Sequence, residues 1–158
     1  MFKSIVWATD GSESAERALP YAKSFASADG ATLTVVHCSE ILVGRGGGQP
    51  VVADEEDVTA RIERQVQELS DEGLKATLRV VHTTAGSVPQ TIADAADDLS
   101  ADLIVVGTRG HTAFGGLLLG SVTQRLLHVA TCPVFAVPAA AQPPALSGSE
   151  AAQSTAAV

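Results

Sequence analysis

The sequence predicts an α/β fold, a single Rossmann-like domain built on a five-stranded parallel sheet with helices on both faces. Short β-branched apolar runs alternate with stretches of helical apolar spacing, four times over, and the series closes on a strand. Leu103 to Val106 is apolar at every position, as a strand covered on both faces must be. The 158 residues are 46% hydrophobic but only 4% aromatic, so one core is expected, packed from Val, Leu, Ile and Ala.

Lys3 to Thr9 reads as the first strand, broken by Asp10-Gly11-Ser12, where Ser12 is placed to cap a helix. That helix presents Ala15, Ala18, Leu19, Ala22, Phe25 and Ala26 on one face. Thr32 to Cys38 is a second strand, and Gly44 to Pro50 a flexible loop. A helix from about Asp54 to Glu72 carries Val58, Ile62, Val66 and Leu69 on one side, and its acidic first turn complements the helix dipole. Ala76 to His82 is the third strand, and Ser87-x-x-Gln90 reads as a capping box opening a helix to about Leu99. Leu103 to Val106 is the fourth strand. A last helix spans about Ser121 to Ala130, with a second capping box in Ser121-x-x-Gln124, and Pro133 to Val137 is the fifth strand. The domain is expected over residues 1–138. Residues 139–158, rich in Ala, Pro, Ser and Gln, are expected to form a disordered tail whose removal leaves melting unaltered.

A net charge of −8 argues against general nucleic-acid binding, and no apolar run is long enough for a membrane span or a signal peptide. Of the 18 acidic residues, 17 lie at or before Asp102, whereas Arg109, His111, Arg125 and His128 all follow it. That acid-free segment is either a place for a bound anion or simply the most buried part of the chain. Cys38 and Cys132 are isolated thiols, read as small buried hydrophobes in a reducing, cytoplasmic protein.

In this architecture ligands bind at the C-terminal ends of strands where strand order reverses, and Asp10 and Gly107 end the two strands flanking that point. After the fourth strand come Gly107-Thr-Arg-Gly110, nine residues, and Gly120-Ser121-Val122-Thr123. Glycines let main-chain N–H groups approach a phosphate, and Ser121 and Thr123 add hydroxyls at a helix start that already favours an anion. Arg109, and Arg125 after it, could supply charge. The plain alternative is a turn at Gly107 and Gly110 followed by an ordinary helix cap. Gly115-x4-Gly120 has the opening spacing of a Walker A loop, but Ser121 stands where the lysine belongs, and no GxGxxG follows the first strand.

The spacing G-x2-G-x9-G-[S/T], met by Gly107, Gly110, Gly120 and Ser121, resembles the ATP-binding signature of the universal stress protein family. The likeness extends to Thr9-Asp10-Gly11-Ser12, to Val35-Val36-His37-Cys38 and to the stretch from Gly120 to Val137, covering roughly Met1 to Pro138. It implies an adenine nucleotide alpha-hydrolase-like fold and a homodimer paired through the last strand, at Val134, Phe135, Ala136 and Val137. It also implies that Ala8, Thr9 and Asp10 border the adenosine and that Cys38 offers backbone groups to the adenine edge. Val106 and Gly107 would lie near the ribose, and Gly110, Gly120, Ser121, Val122 and Thr123 would hold the phosphates. The alternative for Asp10 is a carboxylate that accepts backbone N–H bonds at the strand-to-helix turn, and His37 and His82 are read as structural.

Hydrolysis needs a positioned water, a metal and charge stabilisation. Asp10 is a candidate contact to Mg2+, but no lysine or acidic base stands in the loop. ATP is therefore expected to act as a conformational ligand, with the segment from Arg109 to Leu119 as the moving part. A slow ATPase, a cyclic-AMP-binding protein and a dimeric module without nucleotide remain the alternatives.

Overall fold

The structure is a computed structural model that describes residues 1–41, 53–84, 86–108, 119–142 and 144. Its elements run β1 (Ser4–Thr9), α1 (Glu13–Glu16), α2 (Leu19–Asp29), β2 (Thr32–Ile41), α3 (Ala53–Asp71), β3 (Lys75–Thr84), α4 (Val88–Asp98), β4 (Leu103–Gly107), α5 (Ser121–Val129) and β5 (Val134–Val137). The five strands form one parallel sheet in the order β3-β2-β1-β4-β5. The chain steps outward from β1 to β3, then crosses back to β4, so strand order reverses between β1 and β4.

Alternation along the strands divides the core between two faces. Ile5, Trp7, Leu33, Val35, Leu103 and Val105 pack against Ala22 and Ala26 of α2 and Ile62 and Leu69 of α3. Val6, Val36, Ile104 and Val106 pack against Ile92, Ala93 and Ala96 of α4 and Leu126 of α5. β1 and β4 contribute to both clusters, which is why they read as unbroken apolar runs. Trp7 is fully buried, and its indole Nε1 donates to the Ala15 carbonyl at 3.2 Å, tying α1 to the sheet.

The structure corrects three expectations. The helix after Ser12 is two helices. Ser12 does cap the first, its Oγ accepting from the Ala15 N–H, but Pro20 near the start of α2 has no N–H to continue the ladder back to Glu16. Apolar spacing runs through this break because Ala18 at the junction packs in the same cluster as Ala22 and Ala26 of α2, and Ala15 of α1 is buried as well. The capping box at Ser87 does not form: Ser87 has helical rather than extended dihedrals, its Oγ lies 3.2 Å from Thr84 Oγ1, and Gln90 donates to Asp94. The N-cap of α5 is Gly120, with Ser121 the first helical residue, so the second capping box is also absent. The expected loop Gly44 to Pro50 lies outside the described residues.

Of residues 139–158 the structure describes 139–142 and 144. Ala141 packs against the α2/α3 cluster, the Tyr21 hydroxyl donates to the Gln142 carbonyl, and Pro144 lines a groove of about 330 Å³ beside Leu19, Lys23 and Gln65. The beginning of the expected tail is thus part of the packed structure. One partly buried methyl and one exposed hydrogen bond contribute about 1 kcal/mol, 2 at most. Truncation after Pro138 is expected to lower the melting temperature by about 3–6 °C in a thermal scan; an unchanged value would mean these contacts carry no weight.

Candidate functional site

The C-terminal ends of β1, β2 and β4 meet at one edge of the sheet, and α5 begins there. Ala8 stands in register with Val106, and Thr9 with His37. Ala8, Cys38 and Val106 contribute to the same apolar cluster on the α4/α5 face, with Cys38 half-buried. The residues assigned from sequence to the adenosine and ribose therefore converge, although they come from three strands.

Beyond β1 the backbone turns tightly. The Gly11 N–H donates to Thr9 Oγ1 at 3.0 Å, and the Ser12 N–H to Asp10 Oδ1 at 2.9 Å. Asp10 thus performs the turn-acceptor role that competed with a ligand role, using one of its carboxylate oxygens. Gly11 has φ +73°, a conformation that favours glycine.

Two hydrogen bonds pin the start of α5 to the end of β4. Thr123 Oγ1 donates to the Gly107 carbonyl at 2.8 Å, in a buried position, and the Gly120 N–H donates to the Thr108 carbonyl at 2.6 Å. Both modify the expected site. The Thr123 hydroxyl proton is turned inward and fixes the helix rather than facing a ligand. The Gly120 amide is likewise already satisfied. The first backbone bond of the helix is Gln124 N–H to the Gly120 carbonyl at 2.9 Å, so the N–H groups of Ser121, Val122 and Thr123 stand before the helix's own ladder and, among the described residues, meet no backbone carbonyl. Ser121 and Val122 are exposed, and no acidic residue stands in this first turn. The result is a donor set suited to an anion, at the edge where β1 and β4 end.

Gly107 has a second reason to be glycine. A Cβ there would lie 2.5 Å from the Ser14 carbonyl oxygen and 3.1 Å from the Ala15 Cα, inside the backbone of α1. Close packing of α1 demands glycine at this position independently of any phosphate. Arg109, Gly110 and His111, with most of the segment to Leu119, lie outside the described residues. Arg125 reaches the Gly86 carbonyl at 3.4 Å, away from the first turn of its own helix. Among the described residues no group of three or more His, Cys, Asp or Glu side chains could hold a metal ion.

Sequence reasoning missed three contributors. Thr108 is buried and supplies the carbonyl that holds Gly120. Glu55 and Arg61 of α3 reach the edge through His37 and Gly11. His37 itself is buried, as a structural histidine should be, whereas His82 is exposed.

The model of the universal stress protein family matches residues 1–138. The chain is 42% identical over 141 residues to the universal stress protein in the QAH/OAS sulfhydrylase 3′ region of Thermus aquaticus, a match covering 87% of this chain and 99% of that protein. Among solved structures it is similar to MJ0577 of Methanocaldococcus jannaschii, with 29% identity, a TM-score of 0.75, and coverage of 87% of this chain and 96% of that one. It is also similar to a universal stress protein in complex with cAMP, with 26% identity, a TM-score of 0.64, and coverage of 87% and 98%.

Gly107→Ala tests the packing role of that glycine. Displacing α1 is expected to cost about 1–3 kcal/mol, read as a lower urea midpoint in the absence of nucleotide. An unshifted midpoint would mean that α1 yields freely.

Proposed function

The chain belongs to the universal stress protein family, and from that membership we propose that it binds ATP across the C-terminal edge of its sheet, as a ligand that biases conformation rather than a rapidly consumed substrate. The observation that carries this reading is the first turn of α5, which presents the N–H groups of Ser121, Val122 and Thr123 beside the ends of β1 and β4. Ala8, Thr9 and Asp10 border the adenosine, Cys38 meets the adenine through its backbone, and Val106 and Gly107 lie along the ribose. Gly110, Gly120 and the start of α5 hold the phosphates, with Arg109 adding charge. Mg2+, if it accompanies the nucleotide, would be held by phosphate oxygens, water and Asp10, since this ion keeps much of its hydration and needs few protein ligands.

The distribution of lysines favours binding over turnover. Lys3 and Lys75 stand at the opposite, N-terminal edge of the sheet, and Lys23 is paired with Glu72 on the α2/α3 face. None is placed to neutralise a transferring phosphoryl group. A ligand role requires that the two conformations differ in nucleotide affinity. Cyclic AMP is the second reading, favoured by the similar structure that contains it.

The partner reading is a homodimer through β5, in a stress-response protein of the cytoplasm. β5 is an edge strand, and Phe135 is 37% exposed although its ring stands 5.6 Å from that of Tyr21 and 5.2 Å from that of Phe25. The two free cysteines accord with a reducing compartment.

Calorimetric titration with ATP, ADP, AMP and cyclic AMP, with and without magnesium, tests the ligand. Gly120 has φ −67° and ψ 155°, which valine also adopts, so Gly120→Val should keep the fold and lose at least about tenfold in affinity as its side chain crowds the phosphates. Unchanged affinity would refute the phosphate assignment. Val134→Lys should shift the sedimenting species from dimer towards monomer, and a dimer indifferent to it would place the interface elsewhere.

A further inference from the structure

The edge proposed for the nucleotide is braced from α3 as well as from within the sheet. The His37 ring is only 3% exposed, with Nδ1 2.9 Å from the Thr9 carbonyl and Nε2 2.8 Å from Glu55 Oε1 in the first turn of α3. A carbonyl oxygen only accepts, so Nδ1 donates to Thr9. Two more contacts come from the same side of α3, at the three-residue spacing that keeps side chains together on a helix. Arg61 donates to the Gly11 carbonyl and stands 3.7 Å from Glu16, while a Cβ on Gly11 would lie 2.7 Å from Val58 Cγ1. The bonds inside the Thr9–Ser12 turn are local, and these contacts fix where the whole turn stands.

We propose that His37 is a positioning residue for the nucleotide: its ring fastens the Thr9 carbonyl, and with it the turn bearing Asp10, to the first turn of α3. The proposal rests on the nucleotide reading above and deepens it by naming α3 as the element that responds to occupancy. A buried imidazole is stable only with its nitrogens satisfied, and here the two partners belong to elements that no sheet ladder joins. Coupling is reciprocal. If the tie to α3 favours nucleotide binding, nucleotide must stabilise the first turn of α3 by the same factor.

Four proteins test this: wild type, His37→Leu, Glu55→Leu and Glu55→Gln, each checked for folding by thermal melting. His37→Leu removes both bonds of the tie and Glu55→Leu removes its α3 end alone, whereas the glutamine amide can still donate to Nε2. In the unliganded proteins, hydrogen exchange at the Gly11 and Ser12 amides should quicken by about tenfold in both leucine variants and by much less in Glu55→Gln. Exchange in Glu55→Leu equal to wild type overturns the proposal whatever the ligand. On titration with ATP, both leucine variants should lose about tenfold in affinity, and Glu55→Gln should keep most of it. A leucine variant that binds like wild type, or a glutamine variant that loses as much as Glu55→Leu, also overturns it. A wild type that binds no adenine nucleotide defeats the nucleotide reading and the binding role with it, while the exchange comparison separately decides whether the tie exists.

Discussion

The attachment of α5 to the end of β4 is the constraint on which the rest of the edge depends. The buried bond from Thr123 to the Gly107 carbonyl, and the one from the Gly120 amide to the Thr108 carbonyl, fix where a helix begins and therefore where its first-turn N–H groups point. Without them α5 would still cover Val106 and Ile104 through Leu126, but its first turn would have no defined relation to β1. The donors proposed for the phosphates are thus the exposed consequence of an inward anchor. Residues in one short motif divide the labour, with Thr123 facing the sheet and Ser121 facing out.

Glycine spacing combines separate physical causes. At Gly107 the cause is the backbone of α1, whose Ser14 carbonyl leaves no room for a side chain. At Gly120 it is a capping position whose amide is already satisfied and whose dihedrals are ordinary. A motif can therefore persist in a sequence partly for packing, and the two roles separate only when each glycine is taken alone. The same holds for Asp10, which builds its own turn through Ser12 and still stands at the edge.

Strand positions were legible in the sequence because burial on both faces leaves an unmistakable apolar run, as at Ile5–Trp7 and Leu103–Val106. Local helix boundaries were less so. Apolar spacing continued through the break before Leu19, since Ala18 at the junction packs in the same cluster as Ala22 and Ala26, while Pro20 withholds the N–H that one continuous helix would need. Ser87 and Ser121 matched a capping pattern that depends on one residue's dihedrals, which spacing cannot specify. The site's strand-end residues were found because they follow apolar runs. Its braces were not, because His37–Glu55 and Gly11–Arg61 join positions far apart in the chain and lie within an ordinary acidic, amphipathic helix. Packing after Pro138 escaped for a related reason: an alanine and a main-chain carbonyl leave no compositional mark.

Backbone amide chemical shifts followed through a titration with ATP report the proposed phosphate donors themselves. The largest changes are expected at Ser121, Val122 and Thr123, accompanied by Asp10 to Ser12 and Cys38, with the groove around Lys23 and Glu72 unmoved. Shifts confined to other surfaces, or an unperturbed first turn of α5 at saturating ATP, would contradict the phosphate assignment.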